Sequence, residues 1–190
     1  EYKDGNKVIA GMIREIKEKC GQDFIVDVRM GNHDMGALIE TAKACEEAGA
    51  DLIHISRGAW SDGDASLSKH EAKAELLHSP QPLEKKPDDF KYEYTVYMAS
   101  RVKPFINIPV ICVGGLKRAE QVRDVLEKGY ADIAALGRQQ LADPNWCNKV
   151  KNGIEPDYCI DCKACKWMED GTGSKCAARI IAARKAAKNN

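Results

Sequence analysis

Cysteine is the residue type whose spacing most directly suggests chemistry in this 190-residue chain. Four of the eight cysteines follow the pattern C-x2-C-x2-C-x10-C, formed by Cys159, Cys162, Cys165 and Cys176. Three closely spaced thiolates and one distant thiolate match the way a [4Fe–4S] cluster is held. A structural zinc site also uses four thiolates, but it more often takes them from two separate C-x2-C pairs. The pattern favours an iron–sulfur cluster and leaves zinc open. The remaining cysteines stand singly in helix or strand patterns, which predicts small core residues: Cys20, Cys45, Cys112 and Cys147.

Glycines that follow two apolar runs form a second group with chemical potential. The runs are 110–113, followed by Gly114 and Gly115, and 132–136, followed by Gly137 and Arg138. The segment between them has helical spacing, which predicts a strand–helix–strand unit with parallel strands. A helix start exposes unpaired backbone N–H groups that favour an anion, and glycine allows that anion to approach closely. The pattern predicts a phosphate site with arginine as its cation. Tight turns also use glycine for steric reasons alone.

The elements that must position these residues alternate between helix and strand. Short apolar runs at 24–29, 52–56, 110–113 and 132–136 each follow a segment with helical spacing, as in a parallel α/β sheet. Four such units are half of an eight-stranded barrel, although they could also form an open sheet. Residues 57–91 interrupt the pattern with a polar, proline-containing stretch that predicts a binding loop or an insert, with a short helix near 71–78. A helical stretch is predicted to start at Leu141 and end at Gly153.

Composition limits the classes of partner. Lysine plus arginine and aspartate plus glutamate both number 29, so the formal net charge is zero. This balance argues against nucleic acid or an anionic membrane, which both reward a basic face. No apolar run approaches the roughly 20 residues needed to cross a bilayer. We therefore expect a cytoplasmic protein that acts on a small molecule.

In combination, these motifs resemble the C-terminal half of the old yellow enzyme-like NADH:flavin oxidoreductases. Their iron–sulfur branch is the most similar, and it includes 2,4-dienoyl-CoA reductase, the enoate and bile-acid reductases, and trimethylamine dehydrogenase. The motifs that carry the resemblance are VDVR (26–29), AGADLIHIS (48–56), IPVICVGG (108–115), GYADIAALGR (129–138) and LADP (141–144), followed by the cysteine run.

The resemblance implies about the last four βα units of a (β/α)8 barrel that holds FMN at the carboxyl ends of its strands. Residues 1–156 would form this part of the barrel, and residues 157–190 the cysteine-rich [4Fe–4S] segment and a terminal helix. Arg29 would face the flavin ring, where a cation stabilises the anionic reduced flavin, although a structural ion pair is the alternative. The FMN phosphate would be held by Gly114, Gly115, Gly137 and Arg138. The cluster ligands would be Cys159, Cys162, Cys165 and Cys176.

The implied activity is hydride transfer through FMN to an activated C=C bond, such as an enoyl-CoA or an enoate. An amine dehydrogenase of the same family, and a catalytically silent fragment with a structural four-cysteine metal site, are the alternatives. FAD and NAD(P)H would act through a domain outside this sequence. The resemblance transfers no catalytic proton donor, and we expect His33, His54, Arg57, His70 and His78 to be loop or core residues.

The resemblance also implies barrel strands that lie outside this sequence. Half a barrel has two unpaired strand edges, which invite pairing with another chain. We therefore expect a homo-oligomer, or pairing with the other half of the barrel.

Overall fold

The computed structural model of the chain describes residues 2–31, 34–56, 84–162 and 176–188. The elements in these ranges, in chain order, are α1 (Tyr2–Cys20), β1 (Asp27–Met30), α2 (Met35–Glu47), β2 (Leu52–Ile55), α3 (Tyr94–Val102), β3 (Val110–Val113), α4 (Ala119–Glu127), β4 (Ile133–Ala135), α5 (Arg138–Ala142), α6 (Trp146–Lys151) and α7 (Ala177–Lys188). A 3-10 turn, Lys103–Phe105, follows α3. The predicted helix at 71–78, with most of the predicted loop, lies outside the described residues.

The four strands form one sheet in the order β1-β2-β3-β4, with β1 parallel to β2 and β2 parallel to β3. Asp27 pairs with Leu52 at the start of β1, and Ile53 pairs with Val110 at the start of β3. The predicted parallel α/β architecture is therefore confirmed. Whether this sheet belongs to a barrel stays a prediction.

The core lies between one face of the sheet and helices α2 and α3. Alternate strand residues are fully buried on this face, since α3 packs on β2 and β3 and α2 packs on α3. The buried set comprises Ile53, Ile55, Val110, Cys112, Leu38, Ala42, Cys45, Val96, Ala99 and Val102. The alternating residues His54 and Ile111 are only partly buried. The sheet is therefore covered by helices on one face and is more open on the other.

Two aspartates, one directly before β2 and one directly before β4, accept a backbone hydrogen bond from the amino end of the neighbouring strand. Asp51 Oδ2 accepts hydrogen bonds from Val26 N at 2.7 Å and from Lys17 Nζ at 2.6 Å. Asp132 repeats the arrangement, accepting from Val110 N at 2.8 Å and from Lys103 Nζ at 2.7 Å. The hydrogen bond from Lys17, followed by that from Val26, holds the pKa of Asp51 below its usual range. These contacts lie at the end of the strands opposite to the predicted site residues.

The predicted strand at 24–29 begins later and is shorter than expected. Phe24 N donates to Gly21 O at 3.2 Å in a turn, and the strand starts at Asp27. The side chains of Phe24 and Ile25 are exposed despite their β-forming character. Strand propensity is realised only where a partner strand offers hydrogen bonds, and the register with β2 begins at Asp27.

The helical stretch predicted from Leu141 to Gly153 is instead divided between two helices. Leu141 belongs to the end of α5, and α6 starts at Trp146. Asp143 between them is extended, with φ −140° and ψ 97°. Pro144 explains the break, because proline disfavours the helical conformation in the residue before it.

The chain divides into two compact units, one made of Glu1–Gly114 with Val125–Ala134 and the other of Gly115–Asp124 with Ala135–Asn190. The domain boundary between residues 156 and 157 stays a prediction. None of the helices in the described ranges is both long and apolar enough to cross a membrane.

Candidate functional site

The predicted phosphate glycines differ in what surrounds them. Gly114 has φ +135° and Gly115 has φ +63°, so both adopt backbone conformations that side chains disfavour. A Cβ atom on Gly114 would collide with Thr95 Oγ1 and lie 3.2 Å from Glu93 Cβ. Thr95 is itself fixed there, because its hydroxyl donates to Val113 O. Gly114 therefore has a steric role, the alternative that the sequence left open.

The start of α4 is less available to an anion than the sequence predicted. The backbone N–H groups of Lys117 and Arg118 both donate to Gln121 Oε1, each at 3.0 Å. The N–H groups of these two residues, which directly precede α4, are therefore already paired. The side chain one turn into the helix satisfies the donors that an anion would otherwise use.

Gly137 and Arg138, at the start of α5, are open to solvent. A Cβ atom on Gly137 would meet no atom within 4 Å. The side chain of Arg138 is 53% exposed, and its Nη1 lies 3.3 Å from Asp161 Oδ1. Lys117 Nζ forms an ion pair with the same carboxylate. We refer to Lys117, Arg138 and Asp161 as the Asp161 ion-pair group. Its two cations come from separate parts of the chain and both pair with the carboxylate of Asp161.

The contrast between Gly114 and Gly137 makes a testable prediction. We expect Gly114→Ala to lower the free energy of unfolding by about 1–3 kcal/mol, because of its positive φ and its contact with Thr95. Gly137→Ala, the matched control, should change stability by less than about 0.5 kcal/mol. Urea unfolding of both variants measures these effects. Equal stability of Gly114→Ala and the unsubstituted chain would contradict the steric role.

Residues 157–162, here called the cysteine segment, are held by two side chains that the sequence analysis did not identify as functional. Gln139 is 2% exposed. Its Nε2 donates to Asp157 O at 2.8 Å, and its Oε1 accepts from Cys159 N at 3.0 Å. Gln139 directly follows Arg138, so one short helix carries both a predicted phosphate contact and the clamp on the first predicted cluster ligand. No spacing rule identifies a glutamine that bonds only to backbone groups.

Asp143, from the LADP motif, is the second side chain that holds this segment. Its Oδ2 accepts from Asp157 N at 2.9 Å, and Lys149 Nζ approaches it at 2.7 Å. Burial would raise the pKa of Asp143, but the hydrogen bonds from Lys149 and from the backbone N–H groups of Asp157 and Asn145 outweigh it and lower the pKa below its usual range. Asp143 therefore stays ionised and fixes the start of the cysteine segment.

Three of the four predicted cluster ligands lie in the described residues. Cys159 and Cys176 are half-buried and Cys162 is exposed, all as free thiols, whereas Cys165 lies outside the described residues. Asp161, between the first two cysteines, has φ 50°, which bends the backbone there. Thiolate ligands suit zinc and iron–sulfur clusters alike. Within the described part of the chain, no three His, Cys, Asp or Glu side chains come together as a metal site.

The single cysteines divide into two kinds. Cys45 and Cys112 are buried, as predicted, and burial raises the pKa of each thiol to about 11. Cys20 and Cys147 are exposed, so the prediction that they are core residues is wrong. Cys20 is the last residue of α1, and it is exposed because this end of the helix lies at the surface.

Arg29 lies near the carboxyl end of β1 and is exposed. Its Nε donates to Ser56 Oγ at 3.1 Å, and its register partner on β2 is His54. The Nε2 atom of His54 is buried without a hydrogen-bond partner among the described residues. Burial lowers the pKa of His54 and the charge of Arg29 acts in the same direction, while Asp27 opposes them. The open face of the sheet therefore presents an accessible cation beside an imidazole that favours its neutral form.

Two relatives with curated functions are similar over most of this chain. An NADH oxidase from Thermoanaerobacter brockii is 31% identical over 160 residues, which cover 80% of this chain and 22% of that protein. An N,N-dimethylglycine/sarcosine dehydrogenase from Chromohalobacter salexigens is 30% identical over 163 residues, which cover 79% of this chain and 22% of that protein. The chain thus spans about a fifth of the length of these relatives.

A solved structure shares the fold. A complex of 2-naphthoyl-CoA reductase with 2-naphthoyl-CoA aligns with 78% of this chain and 21% of its own, with a TM-score of 0.55 and 22% identity. The sequence model of the NADH:flavin oxidoreductase / NADH oxidase family matches residues 7–157, from α1 to the beginning of the cysteine segment. The resemblance recognised from the motifs is confirmed: the chain belongs to the NADH:flavin oxidoreductase / NADH oxidase family.

Proposed function

We propose that this chain is part of an FMN- and iron–sulfur-dependent oxidoreductase that takes electrons from NAD(P)H and reduces an activated C=C bond, such as that of an enoyl-CoA or an enoate. The observation that carries the proposal is the family match over residues 7–157, which runs directly into the cysteine segment. The chain covers a fifth of its relatives, so we assign the other half of the barrel and an FAD- and NAD(P)H-binding domain to residues outside this sequence.

The described residues fit the phosphate of FMN. Gly137 leaves space for a group to approach the backbone at the start of α5, and Arg138 supplies an exposed cation beside it. Lys117 adds a second cation, which the sequence analysis did not assign to this site. A phosphate monoester carries up to two negative charges and several acceptor oxygens, so two cations suit it better than one. We assign Gly115, Gly137, Arg138 and Lys117 to the phosphate, with Gly114 shaping the turn.

Arg29 and the cysteines supply the remaining roles. Bound FMN would supply hydride chemistry, accepting hydride from one molecule and delivering it to another. The positive charge of Arg29, held through Ser56, would favour an anionic flavin in its reduced form. We assign Cys159, Cys162, Cys165 and Cys176 to a [4Fe–4S] cluster, which supplies single-electron transfer when bound. Gln139 and Asp143 would fix the first of these ligands in place.

A second candidate function is oxidation of an amine in a flavoenzyme of the same architecture. The observation that favours it is the dehydrogenase from Chromohalobacter salexigens, which is nearly as similar to this chain as the NADH oxidase. The catalytically silent alternative has a structural four-cysteine site that holds either the cluster or a zinc ion, and it predicts no bound flavin.

The test is an absorption spectrum of the chain purified without oxygen, with iron, zinc and flavin quantified. We expect broad absorbance near 400 nm that bleaches on reduction, about four irons per chain and flavin bands on top. A colourless protein with one zinc would contradict the electron-transfer role. Turnover assays with cinnamate or dimethylglycine, made on the full-length protein, would then separate C=C reduction from amine oxidation.

A further inference from the structure

The Asp161 ion-pair group connects the two predicted cofactor sites. Lys117 lies between β3 and α4, and Arg138 is the first residue of α5. Asp161 lies between Cys159 and Cys162, inside the cysteine segment. The cations assigned to the FMN phosphate are therefore paired, in this structure, with a carboxylate that stands between two proposed cluster ligands.

We propose that Asp161 is an internal competitor for the phosphate site: its carboxylate occupies Lys117 and Arg138 until the phosphate monoester of FMN displaces it. This inference rests on the proposed function, because it takes FMN as the ligand. It adds a second phosphate cation, Lys117, and a mechanical link from that phosphate to the cysteine segment.

The surroundings of Lys117 show that its backbone is fixed where the competition takes place. Lys117 O accepts from Trp146 Nε1 at 3.0 Å, and Lys117 N donates to Gln121 Oε1 at 3.0 Å. Arg138 is fixed in turn as the first residue of α5, beside the buried Gln139. The two cations can therefore remain in place when their anionic partner changes.

The charges and the exposure of the group allow the exchange. One carboxylate against two cations leaves one positive charge uncompensated, whereas a phosphate dianion would neutralise both cations. The side chains of Arg138 and Asp161 are about half exposed, so an incoming ligand can reach them. Exposed ion pairs contribute little to stability because water and salt screen them. Phosphate oxygens form charge-assisted hydrogen bonds with the same donors, and a phosphate dianion carries twice the charge of the carboxylate, so it can replace the carboxylate.

The exchange couples the two sites. Displacement releases Asp161, whose left-handed bend shapes the backbone between Cys159 and Cys162. Asp157 and Cys159 remain clamped by Gln139, so the release affects the second half of the segment. The pairing of Asp161 with the two cations and the binding of FMN exclude each other. Any change that strengthens the pairing of Asp161 therefore weakens FMN binding by the same free energy.

The experiment compares FMN, riboflavin and inorganic phosphate as ligands of the flavin-free chain by calorimetric titration. We expect Asp161→Asn to bind FMN about three- to tenfold more tightly than the unsubstituted chain, the range set by removal of exposed ion pairs. Riboflavin, which lacks the phosphate, should bind equally to both. Lys117→Gln should weaken FMN binding and leave riboflavin binding unchanged.

Asp157→Asn is the matched control, because it removes the same charge from the same segment. Its carboxylate pairs with Lys149 at 3.1 Å and not with the phosphate cations. FMN affinity in this control should stay within about twofold of the unsubstituted chain, the span of one weak exposed pair. An equal gain in both variants, or a loss of FMN affinity in Asp161→Asn, would overturn the competitor role.

Failure of the proposed function has a different signature. If none of the variants binds FMN or riboflavin, this part of the barrel does not hold a flavin by itself, and inorganic phosphate then tests Asp161 alone. Tighter phosphate binding by Asp161→Asn than by Asp157→Asn would support the competition, and equal binding would refute it.

Discussion

Replacing Lys17 with methionine is expected to lower the free energy of unfolding by about 2 kcal/mol, even though the side chain lies far from the predicted site residues. Lys17 is 6% exposed. Its Nζ donates to Gln22 O at 3.0 Å, to Phe24 O at 2.8 Å and to Asp51 at 2.6 Å. Methionine has a similar shape but no donor, so all three acceptors lose the hydrogen bond from Lys17, while Asp51 keeps the one from Val26 N. Asp51 is partly exposed, and water recovers part of the loss.

Lys19→Met is the control, since it makes the same change in the same helix. The side chain of Lys19 is 71% exposed and, among the described residues, forms its ion pair with Glu15 in the adjacent turn, so its loss should cost less than about 0.5 kcal/mol. Urea unfolding of both variants measures the difference. Equal stabilities of the two variants would show that the buried Lys17 contacts contribute nothing.

The same pair of variants predicts a pH dependence. The folded-state pKa of Asp51 is lowered by Lys17, so the stabilisation is present above the unfolded pKa of about 3.9 and is lost as pH falls through the lowered folded value. The stability difference between the unsubstituted chain and Lys17→Met should therefore shrink as pH falls below about 4. A difference that stays constant down to about pH 2 would contradict the Asp51 contribution.

Replacing Gln139 with leucine is expected to loosen the cysteine segment. The change removes the buried side-chain partner of Asp157 O and Cys159 N, whose hydrogen bonds are partly buried, at a cost of about 2–3 kcal/mol. If the segment opens locally, the Cys159 amide should exchange with solvent deuterium about 30- to 100-fold faster. Iron retained after anaerobic purification should fall as well, because Cys159 is a proposed cluster ligand.

Gln140→Leu provides the comparison one residue further along α5. Gln140 is half-buried, and its Nε2 makes a long contact of 3.5 Å with Cys147 Sγ. Its replacement should leave the exchange rates of residues 157–159 unchanged. If both variants accelerate hydrogen exchange similarly, the effect belongs to α5 as a whole. If Gln139→Leu does not accelerate exchange, Gln139 does not hold the cysteine segment.

The family was predictable because its characteristic residues stand in motifs, and the family match confirms it. The roles that the motifs gave to Arg29, Gly137, Arg138 and the cysteines stay predictions. The sequence did not predict that Gln121 binds the backbone N–H groups of the two residues before α4, or that Lys117 and Asp161 form an ion pair. These contacts join residues from different turns and loops, and the periodicity of apolar residues does not predict which of them lie close together.

The sequence by itself determined the alternation of helix and strand, because apolar periodicity decides which segments can cover a common core. It also determined the family, because the motifs at the strand ends were sufficient to recognise it. Only the tertiary structure decided where β1 begins, how α5 and α6 divide, and that Cys20 and Cys147 are exposed. It alone showed that Thr95 leaves no room for a Cβ atom on Gly114, and that Gln139 accepts a hydrogen bond from Cys159 N. The physical reason is that burial, steric fit and hydrogen-bond partners depend on what packs against a residue, and distant parts of the chain supply those neighbours.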